Sequence, residues 1–196
     1  MNKDYTTGTP AEEFYRTVIA PNDFKGPIID NRAKHIEGDF SFGSKYMYTV
    51  EVKGDYVAFR EGRSTGNIPI ELSNNANSDG KGWFFHCRED NVDEILFCCF
   101  DEHRDRGPLL TIRIPFVPLE TFVTAKLNDR LYKERHEKIA RDYRTGAESV
   151  NLCIPLDELA RECGATVTSL RLNQDGIIFH LLIPEEMGLK ITGVRA

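Results

Sequence analysis

The stretch GDFSFGSKYMYTVEVK (residues 38–53) decides how this chain folds. In extended backbone successive side chains point to opposite faces, so the run splits by parity. Phe40 and Phe42 alternate with Asp39 and Ser41, while Tyr46, Tyr48, Val50 and Val52 alternate with Met47, Thr49, Glu51 and Lys53. The intervening Gly43-Ser44-Lys45 predicts a hairpin, and a three-residue loop would pair Phe42 with Tyr46 and Phe40 with Tyr48. On the opposite face Ser41 would then meet Met47 and Asp39 would meet Thr49, with Asp39 diagonal to Glu51 at about 7–8 Å. A one-residue slip would drive Asp39 into the aromatic face. The apolar pattern therefore brings two carboxylates and Lys53 onto one side of one hairpin.

The bland reading is a solvated ion pair on a half-exposed strand. The sharper one is chemical: two carboxylates at this spacing can share a Mg²⁺ or Mn²⁺ with the carbonyl of Val52, leaving positions for water and a phosphate oxygen. A metal so held polarises the phosphate and acidifies a bound water. Lys53 can reach the same water, or the charge that builds on the phosphate.

Outward from the hairpin, strand patterns recur at 67–72, 95–101 and 109–116, beside the hairpin's own 39–42 and 46–53. DEILFCCFDE (93–102) is apolar on both faces, as a central strand covered on both sides must be. LLTIRIPF (109–116) sets Leu110, Ile112, Ile114 and Phe116 against Thr111 and Arg113, which predicts a half-buried strand. TPAEEFYRTVIA (9–20) predicts an N-terminal helix closed by Pro21, followed by a loop through residue 34. Residues 118–144 predict one long helix ending near Gly146. Beyond it come a strand (149–154), a helix (156–163) stopped by Gly164, and a hairpin turning at Asp175-Gly176.

This order predicts an α/β core with a mixed central sheet flanked by helices, spanning 1–146, and a small C-terminal α+β extension over 147–196 packed on it. With 196 residues, 40% of them hydrophobic, the chain can bury a core of that size. No run approaches the roughly 18 apolar residues of a membrane span, and MNKDYTTGTP lacks the blocks of a secretion signal. A cytoplasmic protein with no membrane partner is the expectation. Five cysteines without paired C-x-x-C spacing point to reduced thiols rather than zinc or disulfides.

Asp39 followed by Glu51-Val52-Lys53 resembles the signature of the PD-(D/E)xK nuclease superfamily, which holds restriction endonucleases, Holliday junction resolvases and many phage nucleases. VEVKGDY (50–56) followed by TGNIPIE (65–71) is similar to its small phage and bacterial members. The resemblance covers about residues 10–116, with motif-level detail only over 39–71. Gly38 stands where the signature has proline. The resemblance implies a restriction-endonuclease-like core and Mg²⁺- or Mn²⁺-dependent hydrolysis of DNA, with Asp39 and Glu51 as ligands, Lys53 activating water, and a homodimer as a common assembly. It also implies a further acid, for which Glu12 or Glu13 of the first helix and Glu71 are available. Within the same superfamily a Holliday-junction or branched-DNA resolvase is the alternative to an endonuclease, and outside it a non-catalytic interaction or nucleic-acid-binding module.

For contacts to DNA, the loop REGRSTG (60–66) offers Arg60, Arg63 and Thr65, with Asn67 and Lys81 nearby. The net charge of −6 means that attraction to DNA must come from such a local basic surface. If residues 118–144 are one helix, Lys126, Arg130, Lys133, Arg141 and Arg144 share a face interrupted by Glu137, either a phosphate-contacting stripe or a mixed solvated surface.

Overall fold

Every residue of strand β5 (Glu94–Cys99) is buried, and the reason lies in its place as the fourth of seven strands. The computed structural model describes residues 10–32, 38–43, 47–55, 66–74, 80–100, 110–141, 146–173 and 176–182. In it β1 (Ile28–Asp30), β2 (Phe40–Phe42), β3 (Tyr48–Asp55), β5, β6 (Leu110–Pro115), β9 (Thr166–Asn173) and β10 (Gly176–Leu182) form the main sheet in that order. A second sheet places β8 (Glu148–Pro155) between β4 (Asn67–Ser73) and β7 (Glu137–Arg141). β3 and β5 run parallel and every other neighbouring pair is antiparallel, so the main sheet is mixed.

Alternation along β5 divides the core in two. Ile95, Phe97 and Cys99 pack with Ile112 and Ile114 against the helices α3 (Trp83–Glu89), α4 (Phe116–Leu127) and α6 (Leu156–Cys163), and against Ile68, Ile70, Leu152 and Ile154 of the second sheet. Leu96 and Cys98 face the other way. They join Phe40, Phe42, Val50 and Val52 under Ala11, Tyr15 and Ile19 of the N-terminal helical segment. The chain is thus an α/β protein whose mixed central sheet is flanked by helices, as the strand pattern predicts. Residues after 146 are tied into both sheets, since β8 pairs with β4 and β9 pairs with β6.

Five features differ from the sequence reading. The β2–β3 hairpin pairs Phe40 with Val50, Ser41 with Thr49 and Phe42 with Tyr48, two residues from the expected register, across a longer connection. The even shift keeps every side chain on its face. Phe24 joins the paired aromatics: it stacks on Phe42 with ring centroids 3.9 Å apart and lies 5.8 Å from Tyr48. Tyr46 lies outside the described residues.

The long helix over 118–144 is three elements. α4 ends at Leu127, and Asp129 caps a separate helix α5 (Arg130–His136) by accepting the Tyr132 N–H at 3.1 Å. Glu137–Arg141 is then a strand, because pairing with β8 outweighs the helix propensity of a charged run. The basic stripe is dispersed with it: Lys126 sits on α4, Arg130 and Lys133 on α5 and Arg141 on β7, while Arg144 lies outside the described residues.

Pro21 does not close the first helix. A π-helical turn (Tyr15–Ile19) links α1 (Pro10–Phe14) to α2 (Ala20–Asp23), where Pro21 occupies a first-turn position that needs no N–H partner. The expected loop after it contains β1. The C-terminal hairpin closes between Asn173 and Gly176, one residue earlier than predicted. None of the five cysteines forms a disulfide.

Candidate active site

β2 is only three residues long, so its ladder with β3 stops at Phe40 opposite Val50. Asp39 continues it. Its N–H donates to the Val50 carbonyl at 3.1 Å, its carbonyl accepts from Asn31 N–H at 2.9 Å, and its Oδ2 accepts from Val52 N–H at 2.8 Å. The regular pairing ends at Phe40, and just beyond it the Asp39 carboxyl lies within reach of the charge of Glu51. A residue of an extended strand turns its N–H and C=O to the same edge, so the Val52 carbonyl also faces the side occupied by Asp39.

Gly38 makes this junction feasible. Its φ of +63° is left-handed, and a Cβ there would lie 2.8 Å from Thr49 Cγ2. Proline is locked near −65° and could not adopt that backbone.

Glu51 and Lys53 point to the same face and form an ion pair, with 15% and 27% of their side-chain surfaces exposed. The Lys53 ammonium also lies 5.7 Å from the ring centroid of Trp83, a cation–π distance. Trp83 reaches it because α3 begins hard against β4. Gly82 donates to the Leu72 carbonyl at 2.9 Å, and a Cβ at Gly82 would fall 2.3 Å from the carbonyl oxygen of Glu71. Only glycine permits that approach.

Asp39, Glu51, Trp83 and His86 line one open cavity of about 500 Å³, together with Asn31, Arg32, Gly38, Glu89 and Asp90. Burial first, and then the charge of Glu51, push the Asp39 carboxyl from its ordinary 3.8 up to about 7, against the pull of Lys53 and the Val52 N–H. For Lys53 burial alone would release the proton, but Glu51 and Asp39 hold it well above the usual lysine range. Burial and the charge of Glu51 likewise keep the Cys87 thiol beside the site protonated.

The other predicted residues are distributed as follows. Glu13 turns to Arg16, with Nη2 and Oε1 2.5 Å apart on the exposed side of the helix. Glu12 lies 3.4 Å from Arg32, and its charge acts on Asp39. Glu71 sits on the second sheet and its Oε1 accepts the Trp83 N–H at 3.4 Å, so it supports α3. Asn67 opens β4 opposite Pro155. Lys81 pairs with Glu89 at the cavity rim. Arg60, Arg63 and Thr65 lie outside the described residues.

Asn31, Arg32, Trp83 and His86 belong to the cavity but carry no motif. Arg32 is held by Asp30, at 2.5 Å, and rests 5.1 Å from the Phe40 ring centroid. The one available signal was Trp83, the only tryptophan in the chain, directly after a glycine.

Two carboxylates and a strand carbonyl form a sparse donor set, and among the described residues no group of three or more His, Cys, Asp or Glu is placed to hold an ion. The set fits Mg²⁺, which retains several waters and takes one or two protein carboxylates plus substrate phosphate. No helix among the described residues is long and apolar enough to cross a membrane. Comparison with family models, with curated proteins and with solved structures returns no match for this chain.

Proposed function

We propose that this chain is a divalent-metal-dependent phosphodiester hydrolase. Its substrate on this reading is DNA, cut internally, with Mg²⁺ or Mn²⁺ as cofactor. The observation that carries the reading is the pair Asp39 and Glu51 lining one open cavity, with the charge of Glu51 acting on the Asp39 carboxyl. Asp39 is held where its charge is penalised, which is what a cation site displays before the cation arrives.

Bound there, Mg²⁺ or Mn²⁺ neutralises phosphate charge and acidifies a water. The residues of the chain do the rest. Asp39 and Glu51 supply the anionic ligands, and the Val52 carbonyl a neutral one. Lys53 Nζ, kept protonated between Glu51 and Asp39, donates to a non-bridging phosphate oxygen as charge accumulates in the transition state. Its raised proton affinity favours that role over abstraction of a proton from water. Trp83 lies beside the ammonium, and Arg32, which lines the cavity, would contact the flanking backbone by exchanging its carboxylate partners for a phosphate.

A non-catalytic interaction module is the second reading, and the ion pair of Lys53 with Glu51 favours it, because a closed pair has already spent the charge that catalysis needs. Incubating the purified protein with linear, nicked, branched and single-stranded DNA, with Mg²⁺, Mn²⁺ or a chelator, separates the two. Cleavage is expected only with metal, and it is lost in Asp39→Ala, Glu51→Ala and Lys53→Ala variants that keep wild-type circular dichroism. Preference for the branched substrate would assign a resolvase. A wild-type protein that cuts none of these substrates and gives no calorimetric signal with either ion is an interaction module.

A further inference from the structure

We infer that strand β7 is a dimerisation edge, on which a second copy of this chain pairs antiparallel about a two-fold axis through Ile139. β7 reads Glu-Lys-Ile-Ala-Arg and ends the three-stranded sheet, and among the described residues no strand pairs with its outer edge. Unprotected edges are usually shielded by charge or covered, because their unpaired N–H and C=O groups template further strands. Here three of the five residues are charged, and they flank an isoleucine 66% exposed, so the arrangement of the charges decides what the edge can pair with.

The charges of β7 are self-complementary. Antiparallel pairing centred on Ile139 sets Glu137 opposite Arg141 of the second copy and Arg141 opposite Glu137, with Lys138 opposite the small Ala140. Residues directly opposed on paired strands share a face, so two ion pairs would flank an Ile139–Ile139 contact on one surface. A shift of two residues one way opposes Lys138 to Lys138, and the other way opposes Ile139 to Arg141. The centred register alone satisfies both charges twice. That is the isologous arrangement of a two-fold dimer made by strand addition.

Lys133, 3.4 Å from Glu137, does not compete strongly, since both side chains are more than a third exposed and such surface pairs contribute little. Stable dimers bury about 1,200–2,000 Å² in total, more than a five-residue strand provides. The additional surface is adjacent. α5 leads directly into β7 with Leu131 65% exposed, and a groove of about 520 Å³ runs between Leu127, Arg130, Lys133 and Glu137. This inference does not depend on the nuclease reading.

Sedimentation equilibrium of the full chain tests it. The wild type is expected at twice the 22.3 kDa chain mass, dissociating on dilution. Arg141→Glu or Glu137→Arg alone should raise the dissociation constant more than about tenfold by opposing like charges. The double variant Glu137→Arg/Arg141→Glu should recover dimerisation, because the swap preserves complementarity. Ile139→Cys under mild oxidation should give a disulfide-linked dimer on a non-reducing gel, and Lys138→Cys much less. If a charge variant loses its circular dichroism, the cysteine pair decides. A wild type that stays monomeric at every concentration, a dimer indifferent to both single reversals, a double variant that fails to recover, or equal cross-linking at 138 and 139 overturns the inference.

Discussion

The Oδ2 of Asp39 accepts the Val52 N–H at 2.8 Å, so a side chain takes over the ladder where the backbone of β2 has run out. A strand edge left open would expose a buried donor, and an unmade hydrogen bond of that kind costs about 1–3 kcal/mol. Asp39 satisfies it and in doing so fixes a carboxylate beside Glu51. The candidate site is therefore a by-product of strand termination: β3 continues to Asp55 while β2 stops, and the step between them is where both acids and the cavity meet.

Asp39→Asn keeps an oxygen acceptor for Val52 and removes the ionisation. In the metal-free wild type the folded carboxyl titrates at about 7 against 3.8 when unfolded, so the folded state holds its proton more tightly. Stability contributed by that proton is present below about pH 4 and declines as pH rises to about 7, where the charged group is fully penalised. Thermal melts in chelator should therefore show the asparagine variant gaining on the wild type between about pH 4 and about pH 7. Mg²⁺ should raise the wild-type midpoint at pH 8 and leave the variant unmoved. A wild-type profile parallel to that of the variant across this range would show that Asp39 is not held against its charge.

Trp83 reports on the site optically, being the only tryptophan. Its ring faces the Lys53 ammonium at 5.7 Å and lines the cavity of Asp39 and Glu51. Titration with Mn²⁺ should quench its emission saturably, Mg²⁺ should reverse the quench by competition, and Glu51→Gln should abolish it. Lys53→Met should shift the emission with no metal present. Unsaturable quenching that is identical in the Glu51 variant would mean collision in solution and no ion at this site.

Parity was legible in the residues and distance was not. Phe40, Phe42, Val50 and Val52 dictate which face carries Asp39 and Glu51, and that assignment survived a register error of two residues because the error was even. The pairing is two residues off the shortest loop, and the aromatic that packs on it, Phe24, lies in a stretch that reads as loop and meets the hairpin only through tertiary packing. β5 was recognisable because six apolar or buried residues in succession have one use in a mixed sheet. β7 was not, since the charged run EKIAR favours helix locally and only β8 makes it a strand. α3 has seven residues, too few for a helical period to stand out, so Trp83 and His86 came to the cavity unannounced.

Gly38→Ala tests the backbone beneath Asp39. An L-residue at φ +63° costs about 1–2 kcal/mol, and the added methyl would also press on Thr49 Cγ2 at 2.8 Å. Urea unfolding should show at least that loss, and Gly38→Pro should lose more because its ring forbids the angle altogether. If cleavage is found, it should fall further than the fraction of folded protein explains, since Asp39 is displaced. An alanine variant as stable as the wild type would show that residue 38 takes another conformation in solution.

On the opposite face of the sheet Arg113 joins the N-terminal helical segment to β5. Its Nη1 lies 3.3 Å from Glu94 Oε1, and its Nη2 pairs with Asp23 at the end of α2. Burial raises the Glu94 carboxyl despite the pull of Arg113 and a 3.1 Å hydrogen bond from Tyr48 Oη. Arg113→Met leaves that carboxylate buried without a cation and should cost about 1.5–3 kcal/mol at neutral pH. The raised carboxyl fixes the sign: protonating Glu94 removes the uncompensated charge, so the deficit should shrink as pH falls toward 4. Glu94→Gln added to Arg113→Met should recover most of the loss at neutral pH. Hydrogen exchange should quicken over Pro10–Asp23 in the single variant, because Asp23 is then untied while Ala11, Tyr15 and Ile19 still hold the segment on the sheet. Urea unfolding at pH 4 and pH 7 settles it: a deficit of equal size at both would assign the loss to packing of the Arg113 stem and not to its charge.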